Sequence, residues 1–402
     1  MQSELVDRVY CAPGNGGTGG MARNVAIRPD DVVRLVKFAK QEKVGLAVLG
    51  PESSIEAGVG DALRDAGIPV FGPGRGAGRI ETSKVFAKQL MRSAGIPTAD
   101  FGVFSQPEPA RKWAEERDGR VAVKADGLAA GKGVVVCSSR EEANAAIDQM
   151  LVRKVYGRAG ASVVLEERLQ GTEVSVFGVS DGTDVLALAA ARDYKRALDG
   201  DEGPNTGGMG AYSPPAGVDE GTIREAVERV LRPAVAALTE MEMEYRGVLY
   251  AGLMLTADGI RVLEFNARFG DPEAQVVLPR LESDLVALLL AAARGSLAAH
   301  PETLLTPRAC VGIVVASGGY PDAYETGFPI QGLLSLPDGV IVFHAGTRYQ
   351  PIDGLVTAGG RVLTMVGMGE SAAEAREKAL AGAVRVRFPR AFYRTDIARE
   401  AV

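Results

Sequence analysis

A chain of 402 residues with 46% hydrophobic and 24% charged residues has room for two or three domains with sizeable cores. A net charge of −6 with no basic tract argues against a nucleic-acid binder, and uncharged stretches such as 247–257 and 285–293 fall short of the roughly 20 residues that cross a bilayer. Three scattered cysteines (Cys11, Cys137, Cys310) and two histidines (His300, His344) speak against a disulfide framework, a zinc site or a histidine base, so the chemistry must rest on carboxylates, lysines, arginines and backbone.

The opening MQSELVDRVY has no signal-peptide core, and a cytoplasmic monomer is expected. Residues 8–12 form an apolar run ending in PGNGGTGG. A helix is expected over 31–43 with Asp30 as its cap, then a strand (46–49), a helix (55–66) and a strand (69–71). Strands that end in glycine turns before helices indicate a parallel α/β sheet, whose ligands sit beyond the strand carboxyl ends. Gly14, Asn15 and Gly16 open a GxGxxG match, but no amphipathic helix begins at its last glycine. That loop is either a plain turn or a contact for a substrate phosphate. An α/β domain normally starts with a central strand and its glycine turn, whereas this chain starts on what looks like the end of a helix.

A helix over 81–94 places Lys84 in its first turn, an odd position for a cation beside the helix dipole. After a strand from Phe101 and a helix over 109–117 comes VAVKADGLAAGKGVVV, residues 121–136. It reads as a hairpin holding Gly127, Gly131 and Gly133, with Lys124 entering and Lys132 at the tip. It is either a flexible hairpin with solvated lysines or a cradle for phosphate. It is not a Walker A loop, because Gly133 stands where Ser or Thr should hold magnesium. Ser139-Arg-Glu-Glu142 opens a helix as a capping box. Residues 163–194 read as an antiparallel meander in which Glu166, Glu167 and Glu173 gather at a strand junction, either solvated or set to meet an adenine edge and a ribose.

Residues 195–215 are rich in glycine and proline and structureless by pattern, a length that favours a functional loop. A helix over 221–240, kinked at Pro233, leads to a strand pair turning at 257–259. On the second strand Glu264 and Asn266 share a face while Leu263 and Phe265 point into the core. Such a pair of hard oxygen donors suits magnesium carrying substrate phosphates. Arg268, Asp271 and Glu273 follow at once. Ser283 is expected to cap a helix over 284–293, and strands at 310–316, 340–344 and 362–366 with a helix opened by Ser371 make a small α+β domain.

The order of a helix lysine (Lys84), a lysine before a glycine hairpin (Lys124), an EE-x-L-x-x-x-E hinge (166–173) and ExN (Glu264, Asn266) resembles the ATP-grasp superfamily. Within it, KADGLAAGKGV, GPNTGGMGAYSP, EFNARFGDPE and ASGGYP resemble the glycinamide ribonucleotide synthetases, or phosphoribosylamine–glycine ligases, of purine biosynthesis, from about Leu5 to the end of the chain. The resemblance implies an α/β and α+β fold: an N-terminal parallel α/β (pre-ATP-grasp) domain (1–80), an ATP-grasp domain (81–307) with a glycine-hairpin lid at about 102–170, and a C-terminal α+β domain (308–402).

It also implies roles. Lys84 and Lys124 contact ATP phosphates beneath a lid formed by Gly127, Gly131, Lys132 and Gly133. Glu166, Glu167 and Leu169 line the adenine and ribose site with Glu173 nearby, and Glu264 and Asn266 bind Mg2+ or Mn2+. The implied reaction makes glycyl phosphate from glycine and ATP, after which the amine of 5-phosphoribosylamine displaces phosphate. Arg268 is assigned to the charge on that intermediate and its tetrahedral adduct, and Asp271 to the glycine ammonium. From charge and loop position, Asp193, Lys195, Asn205, Gly207 and Gly208 are expected to shape the acceptor site. Tyr194 departs from the family pattern, which has histidine there, and a first strand, turn and helix of roughly twenty residues is missing. Two alternatives stand beside this reading: another ATP-grasp carboxylate-amine ligase or bicarbonate-using carboxylase, and a nucleotide-binding chain without turnover.

Overall fold

The computed structural model describes residues 3–127 and 133–402, so Gly131 and Lys132 of the hairpin tip lie outside the described residues. The N-terminal part alternates strand and helix as expected, but in two parallel strand pairs rather than one sheet: Tyr10–Cys11 beside Arg23–Asn24, and Ala47–Val48 beside Val70–Phe71. Helix Val32–Gln41 is capped by Asp31, not Asp30. Arg28 grips both oxygens of Asp30, at 2.9 and 2.7 Å, which leaves Asp31 to accept from the Arg34 amide. The helix expected over 55–66 is two, Glu52–Ala57 and Val59–Asp65, divided at Gly58 with φ +81°. Arg79–Thr82 and Lys84–Ser93 likewise replace one helix, because the extended Ser83 accepts from the Phe86 amide and starts the second afresh.

The glycine hairpin is present, with Val123 of Val121–Ala125 opposite Val135 of Val134–Val136. It belongs to a four-stranded antiparallel sheet ordered Phe101–Phe104, Val163–Glu167, Val121–Ala125, Val134–Val136. Helices Pro107–Glu115 and Arg140–Ile147 pack on it through Ala110, Ile147, Val123 and Leu165, and together they form the lid. The meander expected over 163–194 is therefore split. Val163–Glu167 completes the lid sheet, whereas Thr172–Asp181 and Val185–Asp193 enter a second, larger one.

That sheet has eight antiparallel strands in the order Gly259–Asn266, Arg246–Thr256, Thr172–Asp181, Val185–Asp193, Gly210–Ser213, Ala309–Ala316, Arg361–Gly369, Val340–His344. Its central strands read as unbroken apolar runs because both faces are buried. Val176 and Leu249 join a core with Ile55, Leu90 and Leu231, while Phe177 and Val248 meet Leu288 and Leu289 of helix Leu285–Arg294. Residues 195–215 are structured, against expectation: Arg196–Leu198 and Glu202–Asn205 form a hairpin, and Gly210–Ser213 pairs on both edges. The C-terminal strands thus extend the large sheet, and helix Ala372–Arg385 packs Ala375 and Ala379 in one core with Val311 and Met365.

Two smaller expectations change. A π-helical turn, Val227–Leu231, interrupts the helix over 220–240 and makes room for Pro233, which has no amide hydrogen to give to the preceding turn. Asp284 rather than Ser283 caps Leu285–Arg294, because the Ser283 hydroxyl already accepts from the Leu304 amide. No described helix is long and apolar enough to cross a membrane.

Candidate active site

The lid and the large sheet enclose a cleft of about 1960 Å³ that also takes in Glu52 and Glu81 from the N-terminal part and Arg394, Asp396 and Glu400 from the C-terminal segment. Lys124, the fourth residue of a fully buried lid strand, enters it beside Glu166. Its Nζ lies 2.8 Å from Glu166 Oε1 and donates to the Leu263 carbonyl at 3.0 Å. Lys88 stands behind, donating to Glu166 Oε2 at 2.8 Å and to Thr98 Oγ1 at 2.6 Å. Burial pulls the Lys88 ammonium down to about 8, offset only in part by Glu166. Burial would raise the Glu166 carboxyl, but Lys124 and Lys88 outweigh it and hold it below its ordinary value.

Glu264 and Asn266 face the cleft together, as the strand pattern requires. The register slips between Gly252 and Leu253, so Gly252 opposes Glu264 and Leu253 opposes Val262. Leu263 is the extra residue of that bulge and turns to the cleft instead of the core, a correction to strict alternation. Lys84, the first residue of its helix, reaches within 3.4 Å of Glu264 Oε2. Burial alone would raise Glu264, but Lys84, Lys195 and Lys124 hold it down to about 2. It is therefore ionised at any physiological pH. Among the described residues no three or more His, Cys, Asp or Glu side chains converge on a metal position, so Glu264 and Asn266 fit an ion that brings phosphate and water as its other ligands.

At the hinge, Glu166, Leu169 and Glu173 line the cleft with Gly127 and Gly133. Glu167 does not: its side chain is exposed and accepts from the Asp100 amide at 3.0 Å. Lys195 pairs with Glu173 at 2.8 Å, and Asp193, Asn205 and Gly207 border the same wall. Gly208 does not line it. It has φ +112°, and a Cβ there would lie 2.4 Å from Pro272 Cδ, so it is a packing glycine. Arg268 lies 3.5 Å from Glu52 Oε2 and 3.2 Å from Glu81 Oε1, held by carboxylates on either hand. Asp271, expected to hold an ammonium, already has a cation: Arg361 Nη2 lies 2.9 Å from its Oδ2. Glu273 is 4% exposed and accepts from the Tyr250 hydroxyl at 2.8 Å.

Gly14, Asn15 and Gly16 are not at the cleft. They line a separate cavity of about 730 Å³ against Thr347 and Arg348, where Asn15 Nδ2 donates to the His344 carbonyl and the Gly16 amide to that of Thr347. Tyr194, at the position where histidine was expected, donates its hydroxyl to Glu400 and accepts from the Ala398 amide, which ties the C-terminal segment to the large sheet. Sequence reasoning missed Lys88, Glu81, Tyr250 and Arg361. Lys88 alone left a trace, being four residues after Lys84 and so on the same helix face.

Three family models match: the phosphoribosylglycinamide synthetase N domain over residues 1–81, its ATP-grasp (A) domain over 82–274 and its C domain over 310–400. The phosphoribosylamine–glycine ligase of Halalkalibacterium halodurans is 47% identical over 401 residues, covering 100% of this chain and 93% of that protein. That of Salmonella typhimurium is 45% identical over 406 residues, covering 100% and 94%. The crystal structure of phosphoribosylamine–glycine ligase from Thermotoga maritima superposes with a TM-score of 0.83 at 34% identity, covering 97% of this chain and 93% of that one. The biotin carboxylase domain of Hydrogenobacter thermophilus 2-oxoglutarate carboxylase, at 16% identity and a TM-score of 0.71, shares the fold.

Proposed function

The chain belongs to the phosphoribosylglycinamide synthetase family, and from that premise we propose how the residues of its cleft carry out the family's reaction. It is an ATP-dependent ligase of purine biosynthesis that joins glycine to 5-phosphoribosylamine, giving glycinamide ribonucleotide, ADP and phosphate. One observation carries the assignment of roles: Lys84 and Lys124 converge with the Glu264 and Asn266 oxygens on one wall of one cleft.

In the first half-reaction a glycine carboxylate oxygen attacks the γ-phosphorus of ATP, ADP leaves, and glycyl phosphate forms. Lys84 and Lys124 neutralise the phosphates, and Lys88 keeps Glu166 and hence Lys124 in place. Glu264 and Asn266 hold Mg2+ or Mn2+, which supplies positive charge to the phosphate oxygens. Leu169 and Glu166 line the adenine side, with Glu173 on the ribose side. Gly127 and Gly133 border the phosphates, where the lid excludes water that would hydrolyse an acyl phosphate.

In the second half-reaction the neutral amine attacks the acyl carbon, the tetrahedral adduct expels phosphate, and the proton lost by the nitrogen leaves on that phosphate. Arg268, aimed by Glu52 and Glu81, faces the negative charge that builds on that adduct. Lys195, Asn205 and Gly207 border the acceptor. The test is phosphate release by the purified chain with ATP and Mg2+. Release that needs glycine and freshly generated 5-phosphoribosylamine together is expected; release with bicarbonate in place of glycine would assign the cleft to a carboxylase.

A further inference from the structure

Pairing the charges around the cleft one by one leaves a remainder. Among the described residues, Lys88 and Lys124 are taken by Glu166, Lys84 by Glu264, Lys195 by Glu173, Arg268 by Glu52 and Glu81, and Arg361 by Asp271. Three carboxylates on the cleft wall are left without a cation within ion-pair distance: Asp199, which is exposed and accepts from the Thr395 amide at 2.7 Å, and the more enclosed pair Glu273 and Asp193. Glu273 is the more telling because it is 96% buried, and leaving a buried carboxylate unpaired is expensive unless a ligand completes it.

Its surroundings are built. Ser175 Oγ donates to the Tyr250 hydroxyl at 2.8 Å, and that hydroxyl donates to Glu273 Oε1 at 2.8 Å. This relay fixes one oxygen, while Oε2 accepts no hydrogen bond from a described side chain. A Cβ at Gly270 would sit 2.6 Å from Oε2, so the turn that carries Glu273 has a glycine where a side chain would crowd that oxygen. Burial first, and Asp193 second, push the Glu273 carboxyl up to about 7, as expected for two acidic groups short of a counter-ion.

We propose that Glu273 and Asp193 form the slot for the ammonium group of glycine, with Ser175 and Tyr250 as positioning residues that hold Glu273. The inference rests on the ligase reading above. Glycine carries its ammonium one carbon from the carboxylate that must meet the γ-phosphate, so the slot has to lie close beside the phosphate wall, and Asp193 and Glu273 line the same cleft as Glu264. The amine of the acceptor is the poorer occupant, because it must be uncharged to attack.

Glu273→Gln keeps the size and the acceptor for Tyr250 but removes the charge. In the ADP-release assay with all substrates, its KM for glycine should rise about ten- to hundredfold while its KM for ATP stays within about twofold. Thermal shift gives an independent readout. With a non-hydrolysable ATP analogue and Mg2+ present, glycine should raise the Tm of the natural protein but not that of the variant, and the nucleotide shift should persist in both. Asp193→Asn should show the same split at smaller size and stands in if Glu273→Gln does not fold. An unchanged glycine KM, or equal rises for glycine and ATP, overturns the slot. Absence of any glycine-dependent ADP release by the natural protein instead overturns the ligase reading on which the slot depends.

Discussion

The Glu166 carboxylate is shared by two lysines, with Oε2 2.8 Å from Lys88 Nζ and Oε1 2.8 Å from Lys124 Nζ. The two contacts differ in kind. Lys88 makes a hydrogen-bonded ion pair, whereas at Oε1 the Lys124 ammonium is close without being aligned for a hydrogen bond, its aligned bond going to the Leu263 carbonyl. The trio carries one net positive charge in a place almost closed to water, and the end open to the cleft is Lys124. Lys88→Met would leave Glu166 and Lys124 to neutralise each other. The KM for ATP should rise several-fold and stability should fall by about 1–3 kcal/mol, less than for an isolated buried pair because Lys124 remains. Urea unfolding and ATP saturation curves check both, and an unchanged KM for ATP would show Lys88 to be structural only.

The metal assignment is separable from the lysines. Glu264→Gln removes the one carboxylate of the oxygen pair and also releases Lys84 from its partner at 3.4 Å. The Mg2+ concentration for half-maximal activity at fixed ATP should rise about tenfold or more, with a smaller rise for Asn266→Ala, since a neutral amide contributes less to a hard cation. Identical Mg2+ dependence in variant and natural protein would remove Glu264 from the ion.

Much of this site was legible in the chain because its signals are local. The ExN pair sits on one strand, so Glu264 and Asn266 follow from alternation alone, and Ser139 and Ser371 cap the helices their spacing announces. Where a side chain has two possible partners the reading slipped by one residue, as at Asp30, which Arg28 takes, and Ser283, which Leu304 takes. Residues 210–213 looked structureless because their partners, 309–316, lie about a hundred residues away and no periodicity reports them. Lys88 was hidden for the same reason. A lysine in an amphipathic helix reads as surface until a carboxylate 78 residues on is brought to it.

The Glu273 carboxyl gives a pH dependence whose sign can be worked out. Its folded value, about 7, stands above the ordinary 4.5, so the fold favours its protonated form. That contribution is complete below about 4.5 and is lost as pH rises through 7, up to about 3 kcal/mol. The groups facing it are Asp193, which pushes its value up, and the Tyr250 hydroxyl and Lys195, which pull it down. Without ligand, the natural protein should lose stability relative to Glu273→Gln between pH 5 and pH 8, and glycine with nucleotide should restore it at pH 8. Glycine affinity should climb through the same interval as the carboxylate ionises. Parallel stability curves for the two proteins would mean that Glu273 does not titrate there.

Arg361 offers the sharpest choice between the two acidic residues of the GDPE turn. It comes from a C-terminal strand, donates through Nη1 to the carbonyls of Gly207 at 2.8 Å and Asp271 at 2.7 Å, and through Nη2 to Asp271 Oδ2 at 2.9 Å. One guanidinium thus clamps the loop over 205–208 to the turn that carries Glu273, and only a planar fork can reach these acceptors together. Arg361→Ala should free both segments, lowering kcat/KM about tenfold or more, and Arg361→Lys should recover only part of that loss. Asp271→Asn breaks the ion pair but leaves both carbonyl contacts, so its effect should be the smallest of the three. If Asp271 itself held the glycine ammonium, Asp271→Asn would raise the glycine KM far more than the ATP KM and would match Glu273→Gln. With Asp271 paired to Arg361, the expected order is a large glycine-specific rise for Glu273→Gln and a small, substrate-independent change for Asp271→Asn, read from the same set of saturation curves.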